Sequence, residues 1–172
     1  TALAFAVAFT LGVSFFCSLL EAMFLSTTTA EVEALKERNP RRGKLFEDSR
    51  DHMEETISSI LTLNTIANTL GAVMVGGIAT RLFGDASLGL VSALMTLGIL
   101  VISEVIPKNL GVVYRAVLQK HAAYPLYWMR RVLRPLTHLC NLVVRALIRR
   151  KPEDGASDRE IVLLAEKGAR EG

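Results

Sequence analysis

The sequence predicts an all-α membrane protein with three transmembrane helices, the third kinked at Pro107, followed by a helical belt along the cytoplasmic membrane surface. Three observations predict it. Apolar residues make up 51% of the chain, the mean hydropathy is +0.35, and these residues are bunched into long blocks instead of being spread at helix or strand period. Between Val105 and Pro152 there are ten Lys or Arg and no Asp or Glu. Positive-inside topology and anionic headgroups select such a stretch directly after a hydrophobic segment, which displaces a nucleic-acid partner as its explanation. Finally, Glu104 and Pro107 interrupt the third apolar block near its end.

Segment one, residues 1–26, opens with the unbroken apolar run Ala2 to Phe9. Its ~39 Å length as a helix exceeds the ~30 Å hydrocarbon core. The run starts without Met, lacks a basic n-region and is too long for a signal peptide, so it is expected to be a trimmed start. Residues 28–55 form a mixed-sign connection in which Thr29, Glu31 and Glu33 read as a helix start and Asn39-Pro40 as a break. Two short, solvated surface helices are expected there.

Segment two, from Thr56 to about Phe83, is apolar but carries Ser58, Ser59, Thr62, Asn64, Thr65, Asn68 and Thr69. Asn64 and Asn68 share a helix face, and Gly71, Gly76 and Gly77 permit close helix contact. Gly84-Asp85-Ala86-Ser87 allows only a tight turn, so segment three returns antiparallel from Leu88. Pro107 removes a backbone donor and frees carbonyls one turn back, so this helix is expected to kink or unwind where Glu104 sits.

Residues 1–112 thus form the transmembrane domain. Residues 113–151 read as basic amphipathic juxtamembrane helices, divided by Pro125 and Pro135. Residues 152–172 read as a linker and the start of a truncated cytoplasmic helical region, with a capping box at Ser157 to Glu160 opening a helix from Ile161 to Lys167. The basic connection and the basic belt must share a side, which puts the N-terminus outside and the C-terminus in the cytoplasm.

Carboxylates within a membrane are expensive and mark ion or proton pathways. Under this topology Glu21 and Glu104 fall at similar depth, and Ser59 to Asn68 reach the same level from the antiparallel segment. These groups are hard oxygen donors, which favour an alkali or alkaline-earth cation over zinc or copper. Ser58, Thr62, Thr65 and Thr69 are read as packing or back-bonding residues rather than ion ligands. Glu21 fits either the site or an interfacial ion pair. Cys17 and Cys140 lie far apart in apolar surroundings, without CxxC spacing, and read as packing residues. No nucleophile–base pair, phosphate loop or hydrolase motif suggests an enzyme.

Three stretches carry a family resemblance. Phe16-Cys17-Ser18-Leu19-Leu20-Glu21-Ala22 resembles an FSGSETA-like motif, Ser59 through Asn68 resembles SxLLxGNxxVN, and Ser103-Glu104-Val105-Ile106-Pro107-Lys108 resembles GEIIPK. In this order they are similar to the transmembrane domain of the CorC/CNNM magnesium-transport family. The resemblance implies a homodimer in a bacterial or archaeal-type plasma membrane, exporting Mg2+ against Na+ entry, with ATP acting only through a cytoplasmic CBS-pair domain absent from this chain. It implies metal ligation by Ser18, Ser59, Asn64, Asn68, Ser103 (through its carbonyl) and Glu104, and structural or gating roles for Glu21 and Pro107. Ser103 stands where the family has glycine; Cys17, Leu19 and Leu63 also depart from its pattern. The competing readings are a cation sensor or channel and a dimeric membrane anchor for a regulatory domain. An anchor would not need the buried Ser, Asn and Glu set.

Overall fold

A computed structural model describes residues 1–147. The chain divides between Thr137 and His138, and the packing below is that of Thr1–Thr137. The expected linker, capping box and final helix lie outside the described residues.

The described residues form seven α-helices and no strand: α1 (Ala2–Ser26), α2 (Thr29–Arg38), α3 (Pro40–Asp51), α4 (Met53–Phe83), α5 (Leu88–Gly98), α6 (Ile106–Val113) and α7 (Arg115–Leu147). A 3-10 turn, Asp85–Ser87, precedes α5, and a π-helical stretch, Ile99–Val105, joins α5 to α6. Three stretches are long and apolar enough to cross a membrane: Ala2–Ser26, Met53–Phe83 and Asp85–Val113. Their outward surfaces are apolar, with Phe5, Val73, Leu82 and Leu90 all at least 61% exposed. In water such a surface would be a severe liability, whereas against acyl chains it costs nothing. The protein is an integral membrane protein with three spanning segments.

Small residues on α1 let its neighbours approach closely. Ala6, Thr10, Ser14 and Ser18 recur every fourth position and are all buried, the pattern that brings membrane helix backbones together. Gly71 of α4 lies directly against Thr10, leaving no room for a Cβ. On another side of α1, a Cβ at Gly111 of α6 would stand 2.6 Å from the Leu19 carbonyl oxygen. Gly84, at φ 83, makes the turn out of α4, a conformation glycine adopts without strain.

The polar connection is more than a solvated face. Thr28 caps α2 in a reciprocal box with Glu31, and Asn39 both ends α2 and caps α3, with Pro40 in the first helical turn. The resulting hairpin inserts Val32, Leu35 and Phe46 into a core with Met23 and Phe24 of α1, Ile60 of α4, and Ala122, Ala123 and Leu126 of α7. Phe24 and Phe46 pack with ring centroids 5.7 Å apart. Ion pairs tie α7 to this end of the bundle, from Arg115 to Glu31, Arg130 to Asp48 and Arg134 to Glu55.

Two expectations need correction. α4 begins at Met53, a turn before Thr56. Pro125 and Pro135 do not divide the belt; α7 runs through both. The carbonyls that these prolines leave without an amide belong to His121 and Arg131, both exposed residues, so water or headgroups can satisfy them and the helix persists.

Replacing Gly111 with Val should destabilise the protein by about 1–3 kcal/mol through overpacking against α1. Gly77→Val, where nothing lies within 4 Å of the added Cβ, should be nearly silent in the same detergent melting assay. Glu31 supplies a pH-dependent contribution. The Thr28 amide, and then Arg115, hold its carboxyl below the usual range. Its stabilising effect is therefore present above about pH 4.3 and lost as the pH falls through the lowered folded value. Glu31→Gln should flatten the acid limb of a stability-versus-pH curve there.

Candidate functional site

The polar groups meet between α1 and α4. The Ser14 hydroxyl donates to Asn64 Oδ1 at 2.7 Å, and Asn68 Nδ2 approaches the same oxygen at 3.4 Å. Ser14, which the sequence motifs did not single out, is therefore a member of the cluster; its signal was the four-residue spacing along α1. Asn64 and Asn68 lie one turn apart on the same face of α4, as expected. Two buried oxygens next in line, Ser18 Oγ and Asn68 Oδ1, have no hydrogen-bond partner among the described residues.

Helix register orders these groups by depth. Ser14 lies opposite Asn64 and Thr10 opposite Gly71, so the helices run antiparallel and Ser18 falls level with the turn of α4 holding Ser59 and Ile60. Both serines are fully buried. The Ser59 hydroxyl donates to the Glu55 carbonyl of its own helix at 2.8 Å, which leaves its lone pairs as acceptors.

The third wall comes from the π-helical stretch. Ser103 is buried and its hydroxyl donates to the Leu11 carbonyl at 2.9 Å. The residue that departs from the family's glycine thus pins the unwound segment to α1. Pro107, buried in the first turn of α6, has no N–H to offer the Ser103 carbonyl. The expected disruption beside Glu104 is present as π-helix, a form associated with functional sites.

Glu104 itself is half-buried and makes no hydrogen bond or ion pair among the described residues. Ser103 is level with Leu11, Lys108 with Glu21, and Gly111 with Leu19 and Met23. These parallel contacts place Glu104 level with the turn of α1 that carries Ser14. Glu21 does not share that level; it lies about two turns deeper toward α2 and α3, where Lys108 Nζ stands 3.5 Å from its carboxylate. The equal-depth expectation fails because the two spans pack with a stagger, and Glu21 takes its ion-pair alternative.

No group of three His, Cys, Asp or Glu able to hold a metal occurs among the described residues. The oxygens are instead one carboxylate, two amides and several hydroxyls. The large groove between the N-terminal half of α1 and the C-terminal half of α4, about 430 Å³, is lined by Phe5, Phe9, Leu70, Met74 and other apolar residues and offers no comparable chemistry.

Fold and site together define a helical membrane domain with an oxygen-lined polar cluster inside its bundle. The chain belongs to the CNNM family: the model for the Cyclin M transmembrane N-terminal domain matches residues 5–172. It is 31% identical over 156 residues to the UPF0053 protein sll1254 of Synechocystis, covering 91% of this chain and 45% of that protein. The UPF0053 inner membrane protein YfjD of Escherichia coli is 28% identical over 109 residues, covering 63% and 26% respectively. A chloroplastic DUF21 domain-containing protein of Arabidopsis thaliana is 26% identical over 159 residues, covering 90% and 24%. The chain spans less than half the length of these relatives.

Ser14→Ala should leave Asn64 Oδ1 with only its distant donor and cost about 1 kcal/mol. Thr65→Ala, whose hydroxyl bonds only to the Leu61 carbonyl of its own helix, serves as the comparison and should cost less. Unfolding in mixed detergent micelles reads both.

Proposed function

We propose that this domain binds a weakly held divalent cation, magnesium, and carries it out of the cytoplasm in exchange for entering sodium. The observation that supports this most directly is the pair of partnerless buried oxygens, Ser18 Oγ and Asn68 Oδ1, on either side of the Ser14–Asn64 bond. A buried acceptor without a donor costs about 1–3 kcal/mol. A cation arriving at either of these oxygens recovers that oxygen's cost.

Magnesium demands about six oxygens at roughly 2.0–2.1 Å and gives up its water reluctantly. Neutral donors can replace that water without holding the ion too tightly to release. Glu104 supplies the single negative charge, and Ser59 together with the Ser103 carbonyl extends the neutral set. Asn64 acts chiefly as organiser, because its oxygen already accepts from Ser14 and Asn68. Access alternates through the π-helical stretch, whose irregular backbone is the part of span three best able to change pitch. Glu21 and Lys108 close the inner end of the same path as a gating ion pair.

The domain works as a homodimer in a plasma membrane, N-terminus outside and C-terminus in the cytoplasm. There α7 leads toward a cytoplasmic CBS-pair domain through which ATP would act. Family membership and the positive charge beyond Val105 support this arrangement.

The test is magnesium flux from proteoliposomes loaded with an indicator dye, with and without a sodium gradient. Wild-type flux should follow the sodium gradient. Glu104→Gln should lower it at least about tenfold, the equivalent of losing ~1.4 kcal/mol of ion stabilisation, and Ser18→Ala or Asn68→Ala should weaken magnesium affinity with milder effect. Undiminished flux in Glu104→Gln would overturn the proposal, and flux indifferent to sodium would leave a channel.

A further inference from the structure

Between Arg115 and Thr137 the positive charge of α7 is divided into two sets. Arg115, Arg130 and Arg134 are paired with Glu31, Asp48 and Glu55. Lys120 and Arg131 are exposed and have no carboxylate partner among the described residues. Their spacing puts them on one edge of α7, beside Tyr124. Arg42 of α3 joins that edge, with its guanidinium 5.9 Å from the centroid of the Tyr124 ring, and it too lacks a carboxylate partner among the described residues.

Next to this edge runs an apolar stripe. Val117, Tyr124, Trp128 and Val132 fall on one face at helical spacing and are 44–65% exposed, while Gln119, Ala122, Ala123 and Leu126 on the opposite face are buried against the bundle. Only Tyr114 separates α7 from the end of the third span, so α7 starts at the membrane surface. An apolar stripe bordered by unpaired cations at that level is built for a molecule with acyl chains and a negative head. A soluble acidic protein would meet the cations but leave the stripe in water, and a neutral lipid would cover the stripe but leave the cations uncompensated.

We propose that the exposed face of α7 is a binding surface for anionic phospholipid, with the phosphate group at Arg42, Lys120 and Arg131 and the acyl chains along Val117, Trp128 and Val132. This surface is separate from the oxygen cluster between α1 and α4, and it ties the helix that leads out of the membrane domain to the charge of the surrounding leaflet.

Trp128 is the sole tryptophan of the chain and reports on this face. The protein is reconstituted into vesicles containing brominated phosphatidylcholine or, at the same mole fraction, brominated phosphatidylglycerol. Both lipids should quench Trp128, with the anionic lipid at least about twice as effective, given the attraction of each cation near a charged surface. Arg42→Gln with Lys120→Gln and Arg131→Gln should abolish that preference and keep the quenching by phosphatidylcholine. Arg42→Lys with Arg131→Lys, which preserves the charge, should retain the preference. Equal quenching of the wild type by the two lipids, or a preference that survives the neutral triple variant, would overturn the proposal. A Trp128 shielded from both lipids would overturn it in favour of a second copy or another protein covering the stripe.

Discussion

The whole arrangement hangs on the closeness with which α4 and α6 approach α1. Gly71 lies against Thr10, and Gly111 against the Leu19 backbone, so α1 is gripped on two sides by helices almost in backbone contact. In lipid no hydrophobic force draws these helices together, and shape and polar contacts must do it. Close approach also brings short side chains within reach of one another. Ser14 can meet Asn64, and Ser103 can reach the Leu11 carbonyl, only because nothing larger intervenes.

That packing accounts for an uneven polar economy. Several hydroxyls in the spans bond back to their own helix, as Thr10, Ser59 and Thr65 do, and so pass through the membrane at little cost. Ser18 and Asn68 are exceptions, each with a buried oxygen left over. The π-helical stretch is a second local sacrifice, placed where Pro107 already forbids regular pairing. The π-helical stretch, which carries Glu104, packs against α1, the helix that bears Ser18.

Outside the spans the logic is that of a soluble protein. The α2–α3 hairpin is capped, folded on itself and seated by Phe46 against Phe24. Arg130 pairs with Asp48 and also donates to its backbone carbonyl at 2.9 Å, which holds α7 to the end of α3, while Arg134 pairs with Glu55 at the base of α4.

The sequence by itself determined the three spans, the break at Asn39-Pro40, the turn at Gly84, and the disturbance at Pro107, because each depends on local chemistry: apolar length, a missing N–H, a permitted φ. It also singled out Ser18, Asn64, Asn68 and Glu104, since polar groups in apolar runs stand out, and the three motifs identified the family. Tertiary structure alone decided who meets whom. Ser14 entered the cluster and Glu21 left it for Lys108 because the stagger between helices is set by where small residues let backbones touch, which no single segment encodes. The continuity of α7 through Pro125 and Pro135 was likewise invisible, since a proline breaks a helix or not according to whether the carbonyls it frees find another donor.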